Sequence, residues 1–210
     1  MLGLPASTEI KKPLPKTVIF RKFSLTPAAE KAFDADISRI TIIHEISPRS
    51  VSIPEGKEVD SIFVLLVQLK RREYNEGNLR LLARLIPRRM VFLLTVEDEA
   101  RLAVVETKVL HTDWQAPDSL TLSLEGLTMD AVWDHMAASI GGLTVREGET
   151  LSAAVAERSE IEALQKQIDR LKGKLKKEKQ SKKKFEIFQN INALQMKLEG
   201  ITHGQPVPKN

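Results

Sequence analysis

The residues closest to a catalytic pattern are Gln68 and Lys70, which end an apolar run, and the carboxylates Glu58 and Asp60, which precede it. Oxygen ligands that hold a divalent metal, together with a lysine that steadies the attacking water, suit cleavage of a phosphodiester bond. Gln68 is a poor metal ligand, however, and no second carboxylate lies at a fixed spacing from Lys70. We therefore favour the simpler interpretation, in which Lys70 marks the point where a strand reaches solvent.

The other polar residues form no second catalytic or cofactor-binding pattern. The chain has no cysteine, which excludes disulfides, thiolate zinc sites and cysteine nucleophiles. It also lacks a Gly-x-Ser-x-Gly elbow, a phosphate-binding loop and a dinucleotide-binding glycine cluster. The histidines have no partners at metal-ligand spacing; they are His44, His111, His135 and His203. The sequence therefore predicts no catalytic residue, no metal ligand and no cofactor.

Residues 60–108 predict the core of an α/β domain. Short apolar runs rich in β-formers indicate strands, and leucines at helical spacing before Pro87 indicate a helix. The predicted elements are strand Ile62–Val67, helix Asn78–Ile86, strand Met90–Val96 and strand Leu102–Val105. The helical crossover predicts that the first two strands lie parallel. This order loosely follows that of the restriction-endonuclease-like fold, with Gln68 and Lys70 at the end of the central strand.

The segments around this core predict further elements. Leu4–Lys16 contains three prolines and is predicted to be an ordered surface strap. The remaining predictions are an edge strand at Val18–Phe23, a helix at Pro27–Ser38 capped by Thr26, strands at Ile40–Ile46, Val51–Ile53, Val109–Trp114 and Leu120–Leu124, and a helix that Thr128 caps and Gly141-Gly142 terminates. Together they predict an α/β fold over residues 1–146, in which a small mixed sheet with a βαβ core carries flanking helices.

The C-terminal part of the chain has a different pattern, typical of a coiled coil. Two apolar seams repeat at spacings of three and four residues, namely Ile161, Leu164, Ile168, Leu171 and Leu175, then Ile187, Ile191, Leu194 and Leu198. The seams are out of phase, so the lysine-rich segment between them fits a phase break in one long helix or a tight turn. We favour a helical hairpin over residues 151–200, because folding back lets each seam bury the other. Residues 143–150 are predicted to be a linker, and residues 201–210 a flexible tail.

Positive charge is concentrated in the same part of the chain. Lys166–Lys184 holds ten Lys and Arg residues against two acids, although the net charge of the whole chain is only +4. Clustered cations form a surface suited to phosphate contact. A solvated outer face of a coiled coil is the alternative interpretation of the same lysines. The residues predicted to contact nucleic acid are Lys172, Lys174, Lys176, Lys177, Lys179, Lys182, Lys183 and Lys184.

The sequence also bears on location. It contains no run of about 20 apolar residues, the length that a membrane helix needs. Its first residues lack the charged start and the apolar stretch of a signal peptide. The absence of cysteine fits a reducing compartment. We therefore expect a cytoplasmic protein with no membrane partner.

Several short segments, in this order and spacing, carry a resemblance to a known family. They are Leu4–Lys16, Asp60–Lys70, Ile86–Leu94, Ala100–Lys108, Thr112–Trp114, Leu122–Trp133 and Lys177–Glu186. In these segments the chain resembles a bacterial family described as domain of unknown function 4391. The resemblance implies no established activity, and it implies genes that lie near DNA methyltransferases, helicases and restriction-like ATPases. Relatives often have an acid where this chain has Gln68, which weakens any carry-over of catalysis.

These observations lead us to expect a non-catalytic accessory subunit of a bacterial anti-phage defence or restriction-modification-type complex. Its basic helical arm is expected to bind DNA. The two apolar seams are expected to bind protein partners, either a helicase or ATPase or a DNA methyltransferase subunit. Two alternatives remain open: a divergent metal-dependent nuclease of restriction-endonuclease-like fold, and a purely structural coiled-coil adaptor.

Overall fold

The computed structural model of the protein describes residues 2–146 and 149–202. The chain divides into two units, Met1–Thr144 and Val145–Asn210. The first is an α/β unit, and the second is a helical hairpin. The predicted linker includes Glu147 and Gly148, and the predicted tail includes residues 203–210; these positions lie outside the described residues.

A six-stranded mixed sheet forms the frame of the α/β unit. Its strands are β1 (Glu9–Pro13), β2 (Ile37–Ile46), β3 (Ile62–Leu69), β4 (Arg89–Val96), β5 (Glu99–Val105) and β6 (Val109–His111). Its helices are α1 (Lys16–Phe23), α2 (Pro27–Asp36), α3 (Pro48–Val51), α4 (Glu76–Ala83) and α5 (Met129–Gly141). The strands lie side by side in chain order; β3 and β4 are parallel, and the other neighbouring pairs are antiparallel. The predicted mixed α/β fold is confirmed.

The central strand–helix–strand unit is also confirmed. β3 and β4 pair in parallel from Ile62 opposite Arg89 to Gln68 opposite Thr95. Helix α4 begins two residues earlier than predicted, because the Asn75 side chain accepts the Gly77 N–H at 2.8 Å and caps it. It ends at Ala83, three residues before the predicted end, because Pro87 has no N–H to donate to the Ala83 carbonyl oxygen and its ring would clash with that carbonyl in a helix.

Apolar side chains cover both faces of β3. Neighbouring residues on a strand point to opposite faces, and Val64 and Leu65 are both fully buried. On the face of Leu65, the core includes Ile19 of α1, Phe33 of α2 and Leu79 of α4. Helix α5 packs against β5 and β6. The core therefore lies on both faces of the sheet.

One prediction in the N-terminal segment is wrong. Val18–Phe23 lies in helix α1 rather than in a strand. Pro15 stands at the N-cap, and the helical turn brings Ile19 into the core, where it is fully buried. Leu4–Lys16, predicted to be an ordered surface strap, contains β1, a mostly exposed edge strand that pairs with β2.

Two further predicted strands are absent from the described α/β unit. Val51 is instead the last residue of the helical turn α3, because Ser47 and Ser50 form a capping box around Pro48 that starts it. Leu120–Leu124 is extended but joins no sheet, although its alternating leucines 120 and 122 are buried. Its Leu122 N–H donates to the Leu2 carbonyl oxygen at 3.0 Å and its Leu120 N–H to the Pro117 carbonyl oxygen at 3.3 Å, and these bonds do not form a ladder.

The predicted helix ends at Thr26, Thr128 and Gly142 are confirmed. Each threonine side chain accepts an N–H three residues ahead, and Gly142 adopts the left-handed conformation that closes α5. Strand β2 begins at Ile37, earlier than predicted, and β6 covers only Val109–His111 of the predicted 109–114 strand.

The second unit consists of two antiparallel neighbours, α6 (Leu151–Lys177) and α7 (Ser181–Thr202), which pack against each other. The predicted hairpin is therefore confirmed over the alternative of one long helix. Helix α7 runs two residues beyond the predicted end at 200.

Candidate nucleic-acid interface

The hairpin turn is the centre of the basic surface, and Glu178 shapes it. Its backbone N–H donates to the Lys174 carbonyl oxygen at 3.0 Å, which ends α6. Its carboxylate accepts the N–H groups of Gln180 (2.9 Å) and Lys179 (2.8 Å), and these bonds lower its pKa. One of the two acids in Lys166–Lys184 is thus engaged by backbone at the turn.

All eight lysines predicted to contact nucleic acid are exposed. Lys172, Lys174, Lys176 and Lys177 lie at the end of α6, Lys179 lies in the turn, and Lys182, Lys183 and Lys184 open α7. The structure therefore brings them together at one end of the hairpin. Lysines also interact favourably with the carbonyl end of a helix, so Lys174, Lys176 and Lys177 contribute to the stability of α6.

The nine seam residues face the inside of the hairpin. Leu164, Ile168 and Ile191 are buried, and the other six are half-buried: Ile161, Leu171, Leu175, Ile187, Leu194 and Leu198. The seams therefore pack against one another within the chain. The large apolar side chains left outside on α7 are Phe185, Phe188 and Met196, which are 61, 51 and 73% exposed.

The fold does not bring together the four residues of the nuclease hypothesis: Glu58, Asp60, Gln68 and Lys70. Asp60 lies just before β3, whereas Gln68 and Lys70 lie at the opposite end of that strand, about 25 Å away at the rise of an extended chain. Asp60 pairs with Arg88 at 2.9 Å. Glu58 is also on the far side, where its backbone N–H donates to Asp130. Neither upstream acid is placed to share a metal ion with the Gln68 end.

The carboxylate that does lie beside Lys70 is Asp36, which the sequence analysis missed. Its carbonyl oxygen accepts the Lys70 N–H at 2.8 Å. Its side chain, which is buried, accepts hydrogen bonds from Arg71 (2.7 Å), the Asn75 N–H (2.8 Å) and the Asn78 amide (3.0 Å). Burial raises the pKa of Asp36, but the Asn75 N–H and the Arg71 guanidinium outweigh burial and leave the pKa below its ordinary value. With its oxygens engaged, Asp36 ties the start of β2 to the segment that precedes α4.

The histidines within the described residues lie apart from one another. His44 is buried in β2, where its Nδ1 lies 2.9 Å from the Thr8 hydroxyl, and burial lowers its pKa. His111 contacts Arg101, and His135 lies 3.6 Å from Glu125. His203 lies outside the described residues. In the described part of the chain, no three His, Asp or Glu side chains are grouped so as to hold a metal ion.

Fold and surface together define a mixed α/β protein that carries a basic helical hairpin. The chain matches the family model described as Domain of unknown function (DUF4391) over residues 2–198, and it belongs to that family. The resemblance seen in the sequence is thereby confirmed. Searches of curated proteins and of solved structures found no match. Of the helices that the structure describes, none combines the length and the apolar character needed to cross a membrane.

Proposed function

We propose that the protein binds duplex DNA through the basic end of its hairpin, as a non-catalytic accessory subunit of a bacterial anti-phage defence or restriction-modification-type complex. The observation that carries the DNA part is the group of eight exposed lysines around the hairpin turn. Cations on a rigid pair of helices neutralise phosphates and release counterions, which favours binding without sequence preference.

The accessory role and the assignment to a defence or restriction-modification-type complex rest on the family resemblance and on the neighbouring genes that it implies. The partners in this proposal are a helicase or ATPase, or a DNA methyltransferase subunit, in the cytoplasm. The hairpin supplies the surface for such contacts as a coiled-coil-like arm. Because Asp36 is fully engaged in hydrogen bonds and Asp60 lies at the wrong end of β3, the proposal assigns no catalytic step to the chain.

A matched pair of lysine variants tests the DNA part of the proposal. The tip variant changes Lys176, Lys177, Lys182, Lys183 and Lys184 to Ser. The control variant changes five exposed lysines of the α/β unit to Ser: Lys11, Lys12, Lys31, Lys57 and Lys70. Both variants lose the same net charge, so a general electrostatic effect would weaken both equally.

The readout is the fluorescence anisotropy of a labelled 20-base-pair duplex at about 50 mM salt, a condition in which phosphate contacts are strong. We expect the tip variant to bind at least about tenfold more weakly and the control to change less than about threefold. Equal losses in both variants, or no binding by the unmodified protein, would refute the assignment. An alternative outcome is that the protein binds a single strand more tightly than the duplex and loses that affinity on Phe185→Ala. This result would show that the hairpin binds single strands by base stacking rather than binding duplex DNA.

A further inference from the structure

A groove runs along one side of the hairpin between α6 and α7. Two cavities, of about 400 and 420 Å³, form it, and both are lined by Gln167 and Arg170. Its apolar lining consists of Leu164, Leu171 and Leu194 from the seams, with Ala163 and Ala193 beside them. Leu171 and Leu194 are only half-buried, so they remain open to a further apolar side chain, whereas Leu164 is buried at the base of the groove.

The charge along this groove is one-sided. Its cations are Lys166, Arg170, Lys174 and Lys197, and its one acid is Glu160. Glu160 already pairs with Lys197 at 2.7 Å, which leaves the other three cations without a carboxylate among the groove-lining residues. The groove is thus an apolar strip flanked by positive charge.

We propose that this groove binds an acidic amphipathic helix of a protein partner, which would complete a three-helix bundle. This inference names the partner class for the partner-binding half of the proposed function and rests on it. Leucine-type side chains of the partner would cover the strip beside Ala163 and Ala193, and Asp or Glu at the flanking positions would face Arg170 and its neighbours. The groove spans Glu160 to Lys174 on α6, about 21 Å, so the partner segment is about four turns long.

Two other occupants fit the groove less well. A nucleic-acid backbone would meet the cations but would leave the half-buried Leu171 and Leu194 uncovered. A second copy of the chain would have to offer an exposed apolar face, and the one on α7 starts at Phe185, directly after Lys182, Lys183 and Lys184. Those lysines would repel the cations of the groove, whereas a partner with carboxylates would be attracted.

The test uses the full chain and a labelled synthetic 18-residue peptide with leucines at heptad positions a and d and Glu at the flanking positions. Repulsion between its own Glu side chains keeps the peptide from pairing with itself. A second peptide has Lys in place of each Glu. The groove variant is Lys166→Glu with Arg170→Glu, two exposed positions outside the set of lysines assigned to DNA.

At about 150 mM salt, where the Debye length is about 8 Å, we expect micromolar binding of the Glu peptide to the unmodified protein. The groove variant should lose at least tenfold in affinity and should instead bind the Lys peptide, which is a reversal that a merely structural defect would not produce. The five-lysine tip variant should bind the Glu peptide within about threefold of the unmodified protein. The groove variant should lose less duplex affinity than the tip variant, although Arg170 lies one helical turn from Lys174. Loss of DNA binding and loss of peptide binding are therefore separable failures.

Three results would overturn the proposal. The first is no binding of the Glu peptide at 1 mM. The second is equal binding of the Glu peptide to the groove variant, or a loss caused by the outer-face substitutions Phe188→Ser and Met196→Ser instead. The third is sedimentation showing a dimer of the unmodified protein that the groove variant abolishes, which would give the groove to a second copy of the chain.

Discussion

The α/β unit and the helical hairpin use their side chains differently. Of the 42 buried apolar residues in the part of the chain that the structure describes, 36 lie in the α/β unit and six in Leu151–Thr202. The α/β unit also engages its buried carboxylate, Asp36, with its own donors, whereas the hairpin directs its lysines to solvent. One unit thus buries most of the apolar side chains, whereas the other exposes a cluster of cations.

The largest effect that separates the two units is expected from Ile168→Asp. Ile168 is 1% exposed between α6 and α7, so a carboxylate there would be buried without a partner, at a cost of several kcal/mol. We expect the helical circular-dichroism signal of α6 and α7 to fall while the α/β unit keeps its own cooperative melting transition. Ile168→Val, at about 1 kcal/mol, is the control. Loss of both transitions would show that the units are not independent.

An intermediate effect is expected in the α/β unit from Asp36→Asn. The substitution weakens three charge-assisted hydrogen bonds and should lower the free energy of unfolding by about 2 kcal/mol at pH 7. The folded-state pKa of Asp36 lies below its ordinary value of 3.8, so its contribution is present above that value and is lost as the pH falls through the folded pKa.

Urea denaturation at pH 7 and at acidic pH measures this effect. The difference in the free energy of unfolding between the unmodified protein and Asp36→Asn should become smaller as the pH falls. Asp34→Asn is the matched control, because Asp34 forms an ion pair with Lys16 but is 47% exposed, and such pairs contribute about 0–1 kcal/mol. Equal destabilisation by both substitutions at pH 7, or a gap that widens in acid, would contradict the role given to Asp36.

The smallest effect is a gain of stability in the hairpin from Gly173→Ala. Gly173 lies inside α6, and a Cβ added there meets no atom within 4 Å, so the substitution should stabilise α6 by about 1 kcal/mol. The same substitution at Gly142 should have the opposite sign, because Gly142 has a φ of +58° at the end of α5. Thermal melting followed at 222 nm reports both changes. If Gly173→Ala destabilises the hairpin, another group must occupy the space beside Gly173.

Long apolar patterns were the part of the fold that the sequence could predict. The runs in β3 and β4 are buried on both faces, and the seams of the hairpin repeat over several turns, so their types were unambiguous. The element type of a short apolar run was ambiguous. Val18–Phe23 contains β-formers but is a helix, because a proline before it and the burial of Ile19 outweigh local propensity.

The Asp36 network could not be predicted from sequence for a different reason. Its donors come from Arg71, Asn75 and Asn78, which are 35 to 42 residues away along the chain, and they meet it only because β2 pairs with β3. The basic end of the hairpin, in contrast, is one continuous segment, so its composition alone indicated the candidate site. The groove combined residues from two helices and depended on the register between them.

Lysine footprinting of the full chain is the most direct measurement of where DNA binds. Amines would be acetylated with and without a bound duplex, and the extent of modification read at each lysine by mass spectrometry. We expect protection at Lys176, Lys177, Lys182, Lys183 and Lys184, and unchanged modification at Lys11, Lys12, Lys57 and Lys70. Protection of the lysines of the α/β unit, with the lysines at the hairpin turn still reactive, would contradict the assignment of DNA binding to the hairpin.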